Sequence, residues 1–444
     1  MSFGMLAQGT YTFLAKRAAG PFWVRRKQLQ RTQWMNRREL DALQLNLLRR
    51  VVSHSYRTVP FYRRLMDDCG IREDSIKTLT DVEKFPVLTK RDVLEAGNSI
   101  VSTKYPWWLL QKANTGGTTG TPMTIYRDLF SIGNEHAFVR RQWDWAGIGL
   151  GTRCAYLSGR LIEQPDRRNG PLCRYDPVMK ELILSTYHLS TETAKDYAQA
   201  MKDYRVKALA GYPSSVFMLA MTCLDSSIEV RLRAVLTSSE TLTSSMRNTI
   251  AEAFGCQVFD FYGSAERVCY IHTCEHGSYH VIPEYGLTEL IPNSSSDRET
   301  YRIVSTGFWN LAMPLIRYEL GDIVVKSNKT CLCGRQFEAI ESIEGREGDV
   351  IRTSSGREFG AAVLTHLLYG VEHIVESQII QDSIGHITIE YVPSGKFLGE
   401  DFVNFKRLVA RHLPSELKVD LKQVETVKKT RNGKVQPVVS KLAL

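Results

Sequence analysis

The chain has 444 residues, 43% hydrophobic and 24% charged, with 57 Lys and Arg against 48 Asp and Glu for a formal charge of +9. This is ordinary globular composition with room for two or three domains, and it excludes a disordered, collagen-like or low-complexity chain. No apolar run approaches the roughly 18 residues needed to span a bilayer and no secretory signal opens the chain, so the nine cysteines are read as reduced thiols or metal ligands of a cytoplasmic protein.

Residues 1–100 read as helical. Leu40, Leu43, Leu45, Leu48 and Val51 recur at near-helical spacing, with basic residues between them. Pro60 interrupts this pattern, and Thr89 is placed to cap a helix beginning at Lys90. Residues 105–335 alternate short apolar runs with helical stretches. Ala155–Leu157, Ala208–Ala210, Ala234–Leu236 and Val258–Phe261 are strand candidates, and Ser244–Phe254 is a helix candidate. Such alternation predicts an α/β fold, a mostly parallel sheet with helices on its faces. Glycine and charge punctuate residues 344–352. Beyond them, Val375–Gln381 and His386–Tyr391 read as strands and Phe402–His412 as an amphipathic helix. The predicted division is a large N-terminal domain, 1–345, and a small mobile α+β domain, 346–444, hinged at Gly348 and Asp349.

The most informative stretch is Asn114-Thr115-Gly116-Gly117-Thr118-Thr119-Gly120-Thr121-Pro122. Its glycines let the backbone approach a ligand, and successive amide N–H groups there can cradle an anion such as the phosphates of ATP. It lacks the Gly-Lys-Ser/Thr ending of the common P-loop. Taken alone, the same residues read equally as a flexible turn.

Four further blocks follow in order: Phe261-Tyr262-Gly263-Ser264-Ala265-Glu266, Arg317-Tyr318-Glu319-Leu320-Gly321-Asp322, Gly345-Arg346-Glu347-Gly348-Asp349 and Thr430-Arg431-Asn432-Gly433-Lys434. Together the five resemble the signatures of the adenylate-forming superfamily of acyl-CoA synthetases, adenylation domains and luciferases. Gly211-Tyr212-Pro213-Ser214-Ser215, Leu157-Ser158-Gly159-Arg160 and the short length resemble its phenylacetate–CoA ligase-like branch, including capsule-biosynthesis relatives.

The resemblance implies roles for matched positions. Thr115, Gly116, Gly117, Thr118, Thr119 and Gly120 would wrap the ATP phosphates. Ser239 and Glu240 fall where the family has a Gly-rich adenine loop. Tyr262 would lie on the adenine, with Gly263 and Ser264 beside it. Glu266 would hold Mg2+, a hard cation suited to carboxylate oxygen. Asp322 would accept hydrogen bonds from the ribose, and Arg346 would reach the nucleotide nearby. Lys434 would neutralise charge developing between carboxylate and α-phosphate. Tyr212, Pro213 and Ser214 are candidates for the acid pocket.

The chain departs from the family pattern at Met123, where many members have lysine, around Glu319-Leu320, where an arginine is usual, and at Ser238 and Ser239, where glycines are common. Gly348 replaces the usual hinge Asp or Lys, which bears on the second, thioester-forming step more than on adenylation.

Cys331-Leu332-Cys333-Gly334 forms a tight Cys-x-Cys-Gly knuckle, and Cys274, His276 and His280 lie upstream. Three sulfurs and one histidine would make a closed tetrahedral set for structural Zn2+. Resemblance favours His280 over His276, with Cys269 and His272 in reserve.

The implied reaction is ATP- and Mg-dependent formation of acyl-AMP, then transfer to CoA. Transfer to an amine, hydroxyl or carrier protein is the alternative. Trp143, Trp145, Phe138, Tyr212 and Tyr262 suggest an aryl or hydrophobic acid, and they read more simply as core. No helix-turn-helix, zinc-finger or RNA-recognition signature points to a nucleic-acid partner.

Overall fold

The computed structural model describes residues 20–114, 123–160, 162, 172–293, 299–346, 350–355, 358–360, 371, 373–413, 416–430 and 433–442. The chain divides into two compact units, Met1–Trp145 with Phe261–Ile343, and Ala146–Asp260 with Glu344–Leu444. Among the described residues no helix is long and apolar enough to cross a membrane.

The first unit opens on helices Gly20–Thr32, Arg37–Thr58 and Pro60–Asp68. Asn36 caps the second in a reciprocal box with Glu39, each side chain satisfying an N–H that the helix leaves unpaired. Its buried face repeats at helical spacing through Leu40, Gln44, Leu48, Val51, Val52 and Ser55. Pro60 starts the third helix at a position where its missing N–H is harmless. Thr89 caps Lys90–Ala96 as expected, paired with Asp92. Helix Leu129–Trp145 packs on Gly20–Thr32.

The strands of this unit form an order the sequence did not disclose. Gly286–Pro292, Tyr301–Gly307 and Tyr318–Lys326 make an antiparallel meander. Tyr279–Val281 pairs antiparallel with both Ala339–Arg346 and Tyr270–Thr273. Tyr270–Thr273 in turn pairs with residues Phe261, Tyr262 and Gly263. A separate hairpin joins Gln111–Asn114 to Thr124–Arg127.

In the second unit the predicted strands fall inside Cys154–Ser158, Ala208–Gly211, Ala234–Ser238 and Gln257–Gly263. Cys154–Ser158 lies parallel to Glu181–Ser185 and to Ala208–Gly211, which is parallel to Ala234–Ser238. Every residue of Glu181–Ser185 is buried, as expected of a parallel strand covered on both faces. Cys173–Asp176 adds an antiparallel edge. Helix Pro213–Asp225 packs on this sheet and on Thr193–Asp203 and Ser244–Phe254.

The C-terminal residues build a four-stranded sheet in the order Lys418–Gln423, His386–Pro393, Ile374–Ser383, Val438–Ser440. Helix Gly399–His412 begins three residues before the predicted Phe402. A single apolar cluster includes Leu157, Val216, Ile250 and Phe254 together with Ile379, Phe405, Val409 and Val438. Each such fully buried side chain contributes roughly 1.5–3 kcal/mol relative to exposure.

Candidate active site and metal cluster

The phosphate-loop candidates Thr115, Gly116, Gly117, Thr118, Thr119 and Gly120 lie outside the described residues, as do the hinge positions Gly348 and Asp349. The arms that carry the loop are described. Asn114 pairs with Thr124, and Thr124 Oγ1 donates to Asn114 Oδ1 at 3.1 Å, closing the base of a hairpin. Arg346 ends the strand Ala339–Arg346.

Within the first unit the structure brings Tyr262, Asp322, Glu266 and Tyr318 together. The Tyr262 hydroxyl donates to Asp322 Oδ2 at 2.5 Å. Burial, then the adjacent Asp322 carboxylate, push the Tyr262 hydroxyl well above its ordinary pKa, so it stays a donor. Tyr318 donates to Glu266 Oε1 at 3.4 Å, and both carboxylate residues are 8% exposed. Ser264 Oγ is buried without a hydrogen-bond partner among the described residues, as a site awaiting a polar ligand would leave it. Gly263 is required sterically, since a Cβ there would lie 2.7 Å from the Tyr270 ring. Tyr318 carries no catalytic signal in the sequence; only its strand register places it at Glu266.

Arg317 does not replace the missing family arginine. It is held by Glu289 through Nε and Nη2, at 3.1 and 2.8 Å, and donates to Phe85 O at 2.8 Å. Phe138 and Trp143 are buried at 0% and 4%, and Phe138 packs edge-on against Tyr285. Trp145 donates to Gln33. These aromatics are core and supply no argument for an aryl acid.

The second unit gathers Tyr212, Ser214, Ser239, Glu240 and Lys434. Lys434 Nζ donates to the Ser239 carbonyl at 3.4 Å and lies 5.5 Å from the centre of the Tyr212 ring. Ser239 has φ +74°, the left-handed region that favours glycine. Glu240 accepts from the Ser214 N–H at 3.1 Å and from the Val435 N–H at 3.0 Å. Burial raises the Glu240 pKa, against the pull of Ser214 and of the Lys434 charge. Pro213 starts helix Pro213–Asp225 with Tyr212 as its N-cap residue. Gly433, at φ +71°, lies so near its surroundings that a Cβ would collide with Thr186 Oγ1 and sit 3.1 Å from Gly159 Cα. Lys429, which the sequence reading passed over, donates to Thr186 O at 3.1 Å and faces Glu376 at 3.4 Å.

The predicted sulfur–imidazole set assembles as Cys274, His280, Cys331 and Cys333, whose donor atoms all lie within 4.8 Å of one another. Cys274 Sγ is 3.5 Å from Cys331 Sγ, and Cys333 Sγ is 3.4 Å from His280 Nε2. These are the edge lengths of a small tetrahedron, close to those that metal–ligand bonds of about 2.0–2.3 Å around zinc would give, and too long for a disulfide of about 2.05 Å. Backbone N–H groups of His276 and Cys333 point at Cys274 Sγ and Cys331 Sγ. Burial holds the His280 pKa down at about 4, leaving a neutral imidazole of the kind that binds metal. The same burial pushes the Cys274 thiol up to about 12, an environment in which a bound cation would favour the thiolate. His276 enters this set only through its backbone, and Cys269 faces Thr288 instead. His272 is fully buried among Tyr270, Phe261 and Trp145.

Comparison with known proteins agrees with this architecture. A family model described as the CapK C-terminal domain matches residues 351–441. Protein CapK of Staphylococcus aureus is 26% identical over 338 residues, 75% of this chain and 74% of that protein. The phenylacetate-coenzyme A ligase of Thermus thermophilus is 24% identical over 365 residues, 78% of each chain. Homologues of this chain thus include Protein CapK and phenylacetate-coenzyme A ligases. Among solved structures, 2-hydroxyisobutyryl-CoA ligase in its postadenylation state superposes with a TM-score of 0.71 at 18% identity, over 96% of this chain and 93% of that one. That likeness shows the fold of the adenylate-forming ligases, α/β with large sheets flanked by helices and a C-terminal domain. The homologues support an AMP-forming acid–CoA ligase, with an acyl-AMP intermediate before the thioester.

Proposed function

We propose that this protein uses ATP and Mg2+ to convert a carboxylic acid to acyl-AMP, releasing pyrophosphate, and then transfers the acyl group to CoA in the cytoplasm. The observation that carries the reading is the seating of Lys434, from the last of the five sequence blocks, on the Ser239 carbonyl and beside the Tyr212 ring. The homology to phenylacetate-coenzyme A ligases supports it independently.

Residues 1–345 would bind nucleotide and acid, and 346–444 would form the mobile domain. The Thr115–Gly120 amides would take the β- and γ-phosphates. Tyr262, Gly263, Ser264 and the Ser239–Glu240 turn would frame the adenine, while Asp322, with Arg346, would hold the ribose side. Asp322 is already ordered by the Tyr262 hydroxyl, which fixes the orientation of its carboxylate. Glu266 would hold Mg2+, with Tyr318 orienting the carboxylate. Tyr212, Pro213 and Ser214 would border the acid.

When the carboxylate oxygen attacks the α-phosphorus, the P–O bond to pyrophosphate breaks and negative charge builds on the phosphoryl oxygens. Lys434 would stabilise that charge. A preorganised cation of this kind commonly contributes the largest single share of rate enhancement. In the second step the CoA sulfur attacks the acyl carbon and AMP leaves. Gly348 and Asp349 would serve as the hinge that lets Lys434 withdraw between steps. Cys274, His280, Cys331 and Cys333 would hold structural Zn2+, all four positions filled by protein and none left for water.

Acid-dependent ATP–pyrophosphate exchange over an aryl and aliphatic acid panel, followed by CoA addition to each hit, tests the proposal. Exchange with thioester formation bears it out. Exchange with no thioester would redirect it to an amine, hydroxyl or carrier-protein acceptor. No exchange with any acid would remove both.

A further inference from the structure

A carboxylate that accepts one N–H from a helix start and another from the residue after Lys434 is placed to do more than line a nucleotide turn. Glu240 Oε2 takes the Ser214 N–H at 3.1 Å and Oε1 takes the Val435 N–H at 3.0 Å. Ser214 lies in the first turn of Pro213–Asp225, where the N–H groups lack intrahelical partners and the helix dipole favours an anion. Ser214 is 1% exposed and packed into that helix, so this end of the bridge is fixed.

The other end belongs to the turn that carries Lys434, of which Lys429, Thr430, Gly433, Lys434 and Val435 are described. Thr430 and Lys434 close a turn through the Thr430 N–H to Lys434 O bond at 2.9 Å, and Lys429 and Val435 form an isolated bridge. Beyond these local bonds, the described residues are held by further contacts, among them the Lys429–Glu376 ion pair and the burial of Val435 in the apolar cluster. Val435 N–H reaches Glu240; Lys429 Nζ reaches Thr186 O; Gly433 nests against Gly159 and Thr186 with no room for a Cβ. Lys434 itself then falls on Ser239 O, the residue preceding the bridging carboxylate.

We propose that Glu240 is a positioning residue: its carboxylate, with the contacts of Lys429, latches the backbone at Val435 so that the adjoining Lys434 is presented for adenylation, and the latch must open before thioester formation. This rests on the reading under Proposed function for its catalytic meaning, while the latch itself is a property of the free chain. Two backbone N–H donors on one carboxylate are well suited to the task. They are directional and strong enough to define a pose, and water can replace both donor and acceptor contacts when they part.

The test uses the full chain without ligands. Hydrogen exchange followed by mass spectrometry should show peptides covering 429–438 exchanging about tenfold faster in Glu240→Gln than in wild type, since a carboxamide offers one acceptor oxygen where the carboxylate uses two. Peptides covering 386–393 should be unchanged. Lys429→Met, which loosens the same segment from another contact, should accelerate the same peptides. Unchanged exchange at 429–438 in both variants overturns the latch. Acceleration spread equally over 386–393 also overturns it, since it would mean general destabilisation.

Half-reactions with phenylacetate as the probe acid then separate positioning from packing. Glu240→Gln should lower ATP–pyrophosphate exchange about tenfold more than it lowers thioester formation from supplied phenylacetyl-AMP and CoA, through kcat rather than the KM for ATP. Equal losses in both half-reactions would reduce Glu240 to a structural role. If wild type exchanges pyrophosphate with no acid, the proposed function fails and the exchange data still decide the latch.

Discussion

The Cys274–His280–Cys331–Cys333 cluster and the Lys434 segment are built on opposite principles. The cluster closes on itself: four donor atoms within 4.8 Å, three of the four residues buried, and the knuckle turned by Gly277 and Gly334 at positive φ. The lysine segment is open. Its described contacts include single hydrogen bonds at Ser239 O, Glu240 and Thr186 O and the Lys429–Glu376 ion pair, with Val435 seated in the apolar cluster. A closed donor set braces strands permanently, whereas isolated polar contacts can be exchanged for water at little net cost. Rigidity is thus concentrated where nothing needs to move, and the catalytic candidate is held by bonds that can be released and remade.

The contrast is broken most severely at Lys434. Lys434→Ala should lower acid-dependent ATP–pyrophosphate exchange by at least about a hundredfold, the scale expected for removing a preorganised transition-state charge. Thioester formation from supplied acyl-AMP should fall far less. Wild-type exchange in this variant would take the lysine out of the mechanism and leave the open segment without a purpose.

The closed cluster makes the second prediction. Elemental analysis should find about one zinc per chain, and Cys333→Ser should lose it along with thermal stability. Because the set would be structural, the purified variant that still folds should retain exchange activity per folded molecule. A wild-type protein free of metal and equally stable in chelator would dissolve the comparison, reducing the cluster to packed thiols.

A smaller effect is expected at the Tyr262–Asp322 bond. Tyr262→Phe removes one donor to a largely buried carboxylate, and a hydrogen bond to a charged group contributes about 1.5–3 kcal/mol, so kcat/KM for ATP should fall about tenfold or somewhat more. An unchanged kcat/KM would mean that Asp322 needs no ordering for the ribose.

These regions differed in how far the sequence disclosed them. The metal set was readable because thiols and imidazole in a tight Cys-x-Cys pattern have few other uses, and the choice of His280 over His276 follows from strand register: His280 opposes His272 and lies on the strand Tyr279–Val281, while His276 occupies the turn. The parallel strands Cys154–Ser158, Ala208–Gly211 and Ala234–Ser238 were readable because strands buried on both faces are continuous apolar runs, whereas Glu181–Ser185 was not singled out. The antiparallel meander of Gly286–Lys326 was not, since Thr288, Glu289, Arg302, Ser305 and Glu319 break the apolar pattern while pairing through side chains. The resemblance carried by five blocks in order named Tyr262, Asp322, Glu266 and Lys434; it could not name Tyr318, Lys429 or the Val435 amide, whose contacts come from register and backbone position and leave no mark on residue type.

Ser239 offers the finest test of the open segment. At φ +74° it occupies a backbone region that disfavours a side chain by roughly 1–2 kcal/mol, yet its carbonyl is the one that receives Lys434. Ser239→Gly should relieve that strain and raise the melting temperature by about one or two degrees, the shift that roughly 1 kcal/mol produces in a chain larger than 250 residues. Glycine also widens the conformations open to the turn, so the carbonyl should be less firmly aimed and exchange activity should fall by about twofold. A gain in stability with lower activity would mean that the strained serine helps fix the lysine's pose. Gains in both would mean that the pose is set at Glu240 and Lys429 alone, with Ser239 merely tolerated between them.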